Sequence, residues 1–451
     1  LTSSADGGLT WSTPLRLDDG YAAGVQSVTD VQVVASEGYV YVCMMVERAG
    51  GGEDVFMASS MDYGMTWNPT LKANVAGADC DAATIGCEGI NVFVTWADDR
   101  HASGMDDLFL RMSHTGGMSW MMDMMDQQID PNGPGVGNVE SAEIQLVSGM
   151  TGLAVAWLEN QTATSPVDKE LHVLYSPDGG HLWPFPDAVI GSGADVKNPS
   201  IAFDNATLVV AFEDDRSGSD QIYAQVSPDF TLSWTEHQMT TLGGAEPSVC
   251  GFGELWAVSF LEGTTIQQPS FASSRDSASS FLPAVNLQTN AVADADAIAM
   301  CMNRRYENFS VTWADDRSGN NQVFSGGARV QTLNAVSPTF ASGDPIHFEV
   351  SHFPLADYNT PFAVLLSSGI GNYRLPFGDG RNTGLLNNPY QPRYLSMLSG
   401  PIGFDGTGST PTLTIPNTPG ATWHAVGLAY LSSHTSVYLQ RLTDVISITV
   451  Q

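Results

Sequence analysis

Lysine is almost missing from this 451-residue chain, which has only Lys72, Lys169 and Lys197. Basic residues number 17 against 49 acidic ones, for a formal net charge of −32. Such a surface repels nucleic-acid phosphates and anionic lipid headgroups, which argues against both as partners. Long apolar runs are absent too: none approaches the ~20 residues a membrane-spanning helix needs. The five cysteines, Cys43, Cys80, Cys87, Cys250 and Cys301, include no Cys-x-x-Cys pair. A dense disulfide framework and a zinc ribbon are therefore excluded. Cys87, Cys250 and Cys301 occupy similar places in the repeat described below and are expected to be small buried hydrophobes. A Cys80–Cys87 pairing stays open. There is no H-E-x-x-H, Walker loop or G-x-S-x-G, so those hydrolytic and nucleotide chemistries lack their signatures. No signal peptide is visible, and the chain opens on LTSSADGG, partway through a motif, so upstream residues are expected.

What is present is a repeat. The pattern Ser-x-Asp-x-Gly-x-Thr-Trp reads SADGGLTW from Ser4, SMDYGMTW from Ser60, SHTGGMSW from Ser113, SPDGGHLW from Ser176 and SPDFTLSW from Ser227, with a worn copy, SRDSASSF, from Ser274. The acid position falls at Asp6, Asp62, Thr115, Asp178, Asp229 and Asp276, about 54 residues apart on average. An Asp in a tight turn accepts backbone N–H groups and Gly supplies a positive φ, so these residues read as hairpin scaffold. His114 and His181 sit inside these turns, where a surface position is expected. Short apolar strands surround each copy, as in PSIAF and TLVVAF before the copy from Ser227. Four such strands per repeat indicate propeller blades.

Counting them predicts an all-β chain: a six-bladed β-propeller over residues 1–330, with an N-terminal strand completing the last blade, followed by a β-sandwich over residues 331–451. Closing the ring in this way leaves no open sheet edge. The sandwich reading rests on short strands such as IHFEVSHF, PFAVLLSSG and HAVGLAYL.

These six turns resemble the Asp-box, or BNR-repeat, turns of the sialidase superfamily. The resemblance covers roughly residues 1–330 and implies a secreted, bacterial-type protein working outside the cell or at its surface. It also implies that ligands meet the face opposite the Asp turns. That face carries the loops between second and third strands, among them WADDRHASGMDDLF from Trp96, FEDDRSGSDQIY from Phe212 and WADDRSGNNQVF from Trp313.

Aligning these loops places a carboxylate in every blade: Glu47, Asp98, Glu159, Asp214, Glu262 and Asp315. A residue repeated in each blade reads as a per-blade acceptor of loop N–H groups; a ring of acids around a cation is the alternative. Arginine follows in three blades only, as Arg100, Arg216 and Arg317, with Ala49, Gln161 and Thr264 in the others. By the resemblance, three arginines would form the triad that clamps a carboxylate. The structural reading instead neutralises each with the two acids before it.

A sialidase also needs a Tyr nucleophile paired with a Glu, and an Asp acid. Tyr21 is the propeller tyrosine on the expected face, whereas Tyr306-Glu307 falls in a turn on the other. Arg374-Leu375-Pro376, shaped like the Arg-Ile-Pro motif of the family, lies outside the propeller. Blade-linking stretches are acidic, and Asp79-x-Asp81 and Asp294-x-Asp296 space oxygens as calcium loops do without completing an EF-hand. No cofactor is required; calcium is the one the sequence would suit. The reading favoured is a non-catalytic propeller that binds a glycan or an extracellular protein, or takes part in extracellular assembly. A sialidase-type glycoside hydrolase and a self-associating surface or filament protein are the alternatives.

Overall fold

The computed structural model describes all residues save 2–11, 18–24, 37, 75–78, 103, 121–125, 136–138, 150–151, 163–164, 192–194, 289–292, 304–307, 318, 320–321, 329–331, 338, 352, 354–358, 368–398, 404–406, 416, 433–436 and 443–445. The described chain is all-β, with no helix. Six antiparallel sheets follow one another over residues 25–72, 80–128, 139–190, 196–238, 244–286 and 295–328. The first five are four-stranded meanders in chain order; the sixth shows three strands among the described residues. This succession is the blade repeat of a propeller. The N-terminal segment expected to complete the sixth sheet, around Asp6, lies outside the described residues.

The burial pattern explains why these sequences form blades. In the fourth sheet the second strand, Thr207–Asp214, is buried at every residue after its first. Its outer strand, Thr235–Gln238, is mostly exposed. A strand covered on both faces reads as a continuous apolar run, here LVVAF, instead of alternating. The cover comes from adjacent sheets. Leu158 and Tyr175 of the third sheet share a core with Phe203 and Phe212 of the fourth. Met45 packs likewise with Trp96 and Phe109, and Leu110 with Trp157.

The first strand of several sheets is irregular near its start, with register shifts at Asp81/Thr84 and Lys197/Ser200. Ala82 and Asn198 take positive φ there, 36° and 48°. Bulges of this kind bend the strand and re-aim its side chains. They fall at the end of each sheet that carries the second-to-third-strand loops.

By packing, the chain divides into two compact units: residues 1–249 with 260–268, and residues 250–259 with 269–451. The second unit contains two further sheets. One pairs Thr332–Val336 and Gly408–Ser409 with Pro345–Ser351; the other orders Ser399–Pro401, Pro361–Ser367, Thr422–Ser432 and Val437–Leu442. Phe348 and Val350 from one and Phe362, Val364 and Ile448 from the other enter one core, as in a β-sandwich.

All five cysteines are free. Cys80 and Cys87 sit at separate places on a single strand, Cys80–Glu88, which removes the pairing left open by the sequence. Cys43 and Cys80 are buried, and burial pushes the Cys43 thiol up to about 12. The three cysteines expected to be buried depart from that: Cys87 and Cys250 are half-buried, and Cys301 is exposed, on a strand where Ala295 and Ile298 are buried.

Candidate functional site

The Ser-x-Asp turns join third and fourth strands at one end of each sheet. In the first, Asp62 Oδ1 accepts the Thr66 amide at 2.7 Å and the Ser60 hydroxyl at 2.8 Å, while Ser60 Oγ accepts the Gly64 amide at 2.9 Å. The Thr66 hydroxyl and amide, with the Ser60 hydroxyl, hold the Asp62 carboxyl below its ordinary range. Asp178, Asp229 and Asp276 take the same bonds from Leu182, Ser233 and Ser280 at 2.8, 2.8 and 2.9 Å. In the second sheet Thr115 Oγ1 stands in for the carboxylate and accepts the Ser119 amide at 3.0 Å. The motif Trp reaches the neighbouring sheet: Trp120 Nε1 donates to the Lys72 carbonyl at 2.7 Å. These groups are consumed in closing a hairpin.

The opposite end carries the Asp-Asp-Arg loops, and the three are built alike. Asp98, Asp214 and Asp315 are fully buried. Asp98 accepts Trp96 Nε1 at 2.9 Å, the Arg100 amide at 3.2 Å and Arg100 Nε at 2.7 Å, with Arg100 Nη2 bonded alongside. Asp315 repeats this with Trp313 Nε1 at 2.9 Å and Arg317 Nε at 2.8 Å. Asp214 takes Arg216 Nε at 2.7 Å. Each guanidinium then lies over the aromatic ring opposite on the third strand. Arg100 stands 3.9 Å from the centroid of Phe109, Arg216 4.4 Å from Tyr223 and Arg317 3.6 Å from Phe324. A planar cation fits both contacts at once, which is why Arg and not Lys occupies the position.

The second acid of the loop does different work from that expected. It does not neutralise the arginine. Asp215 Oδ1 accepts the Asp195 amide at 3.2 Å, and Asp316 Oδ1 accepts the Asp294 amide at 3.0 Å. In both cases the acid ties the loop to the stretch that leads into the same sheet. Remaining arginine donors go elsewhere: Arg100 Nη1 to Asp126 at 2.8 Å, Arg216 Nη1 to Glu236 at 3.0 Å, and Arg317 Nη2 to Gln288 at 3.1 Å.

Two sheets without this arginine carry a cation one step away, which alignment of the loops misses. In the first, Glu47 accepts the Ser27 hydroxyl at 2.6 Å, and Arg48 pairs with Asp54 at 3.2 Å. In the third, the carboxylate of Glu159 takes the Asn132 amide group, and His172 stacks on Trp157 at 5.2 Å between centroids. Glu262 of the fifth sheet is half-buried. In the third sheet the signal is an aromatic facing a third-strand ring, Trp157 opposite His172, which the strand register reveals and a loop alignment does not; in the first, Met45 faces Val55.

His172 makes one of these latches titratable. Its Nδ1 is 2.7 Å from Asp187, and its Nε2 lies 3.8 Å from Glu159 and 3.7 Å from Glu170. Burial works against the charged ring, but those three carboxylates prevail and raise its pKa above the ordinary histidine value. A raised folded-state pKa means stability that is full below the unfolded value, about 6.5, and lost as pH rises through the folded one. The urea midpoint of the native chain should therefore fall between pH 6 and 8 more steeply than that of His172→Gln. Parallel curves for the two proteins would remove this assignment.

The acidic stretches crowd one another. Burial, then Asp81 and Asp99, pushes Asp106 up to about 6. Asp81 itself is raised by burial and by Asp79 and Asp99. Asp79 Oδ1 accepts the Glu53 amide at 2.7 Å. Asp294 and Asp296 are exposed. Among the described residues, no three His, Cys, Asp or Glu side chains converge as a metal-binding group. Tyr21, Tyr306, Glu307 and Arg374-Leu375-Pro376 lie outside the described residues.

A cleft of about 580 Å³ opens at the loop end of the fourth and fifth sheets, lined by Ser219, Thr241, Leu242, Thr264, Thr265 and Ile266. Its wall is hydroxyl and aliphatic, without a charged side chain.

No family model matches this chain, and no curated protein matches it either. Among solved structures it is similar to Trypanosoma rangeli sialidase in complex with sialic acid, at 11% identity and TM-score 0.43, over 94% of this chain and 88% of that one. It is similar to the GH93 alpha-L-arabinofuranosidase of Fusarium graminearum in complex with arabinobiose, at 13% identity and TM-score 0.41, over 69% and 96%. A protein of unknown function from Dyadobacter fermentans matches at 15% identity and TM-score 0.42, over 66% and 93%. Similarity at this level assigns no residue a role.

Proposed function

We propose that this chain is a non-catalytic, extracellular propeller that binds an uncharged glycan at the loop end of its sheets, with residues 331–451 as an accessory sandwich. The observation that carries the reading is the state of the three arginines. Each is closed onto a buried Asp of its own sheet and stacked on an aromatic, so its fork is already occupied by a carboxylate. An anionic sugar would have to displace that partner. The cleft beside Thr264 supports a neutral ligand, since its wall offers hydroxyl groups and no charged side chain. No cofactor is needed for this.

The test is a panel of neutral oligosaccharides and sialosides offered to the full chain. Expected are binding of a neutral member, its loss in Thr264→Trp, which fills the cleft, and no turnover of sialosides. Sialoside hydrolysis abolished by Arg317→Ala would overturn the reading in favour of the glycosidase. Concentration-dependent polymers in light scattering, with no glycan bound, would favour self-assembly.

A further inference from the structure

Two exposed histidines stand on the Ser-x-Asp turns of the second and third sheets, at the end away from the cleft. His114 and His181 stack with 5.7 Å between ring centroids and 3° between planes. Both Nδ1 atoms are engaged, His114 with Asn91 Oδ1 at 2.7 Å and His181 with the Asp178 carbonyl at 2.9 Å. A carbonyl oxygen only accepts, so each Nδ1 carries the hydrogen and each neutral ring keeps its lone pair on Nε2. Metal-bound imidazoles are held in this way: one nitrogen donates to a carbonyl, fixing the tautomer, and the other ligates.

From this geometry we propose that His114 and His181 form a two-imidazole site for a borderline divalent transition metal such as Zn²⁺, with water completing the coordination shell. Imidazole nitrogen selects such metals over calcium, which prefers oxygen. The chain's charge of −32 concentrates cations near its surface. Ligation at a Zn–N distance of about 2.0–2.1 Å requires the parallel rings to tilt toward one another. Both rings are exposed, so no packing opposes the tilt. A bound ion would join the turns of two adjacent sheets.

Equilibrium dialysis of the EDTA-treated full chain against Zn²⁺ at pH 7.5 tests this. One equivalent should bind with a dissociation constant that rises about tenfold or more in His114→Gln and in His181→Gln alike. His347→Gln, in the second unit, should bind as the native chain does. Zn²⁺ should raise the melting temperature of the native chain but not of either pair variant, because the ion binds the folded state alone. Native-like affinity in both pair variants, or in the doubly substituted chain, would overturn the proposal.

Discussion

Asp98→Ala should destabilise the chain by about 3–5 kcal/mol, and the double variant Asp98→Ala/Arg100→Leu by less. The side chain of Asp98 is 0% exposed and that of Arg100 16%, so both charges sit where water screens them poorly. Removing the carboxylate leaves the guanidinium over Phe109 with Asp126 alone as its carboxylate partner and takes the acceptor from Trp96 Nε1. An uncompensated buried donor costs more than the net worth of the pair it belonged to. Removing the cation as well relieves part of that cost, since Asp126 then loses its Arg100 Nη1 bond, and leaves an apolar side chain against the Phe109 ring. Urea midpoints of the native chain, both single variants and the double variant measure it. If Arg100 were held free for a ligand, Asp98→Ala would barely move the midpoint.

Phe212→Ala should cost about 3–5 kcal/mol through the cavity it leaves. Phe212 is fully buried in the layer between the third and fourth sheets, stacked on Tyr223 at 6.3 Å between centroids. Gly191 packs closely beside it: a Cβ there would lie 2.9 Å from Val196 and 3.3 Å from the Phe212 ring. The loss should appear as a lower urea midpoint with earlier exposure of Trp157 and Trp234 fluorescence. Phe212→Leu, which keeps much of the volume, should recover a good part of it.

The Ser-x-Asp turns could be read from sequence because their bonds are local. Every partner of Asp62 lies within four residues of it, so the motif contains its own chemistry. The continuous run LVVAF likewise announces a strand covered on both faces. The Asp-Asp-Arg loops were only half legible. Arg100 and Asp98 are neighbours in sequence, but the Phe109 ring beneath the guanidinium is brought there by strand pairing, Trp96 opposite Phe109. The partners of Asp215 and Asp316 are not legible in the loop, because the amides of Asp195 and Asp294 arrive from the start of the sheet. The same holds for His172, whose carboxylates come from the strand beside it and from Asp187.

The sequence by itself determined the repeat, its turns, the all-β class and the sign of the surface charge, since each depends on composition or on contacts a few residues long. Only the tertiary structure decided what the arginines do, which acids hold loops, and that His114 and His181 meet. The arginines meet rings seven to nine positions away on a paired strand, and the other contacts join residues tens of positions apart, so their distances are set by register and sheet stacking, which no local pattern encodes.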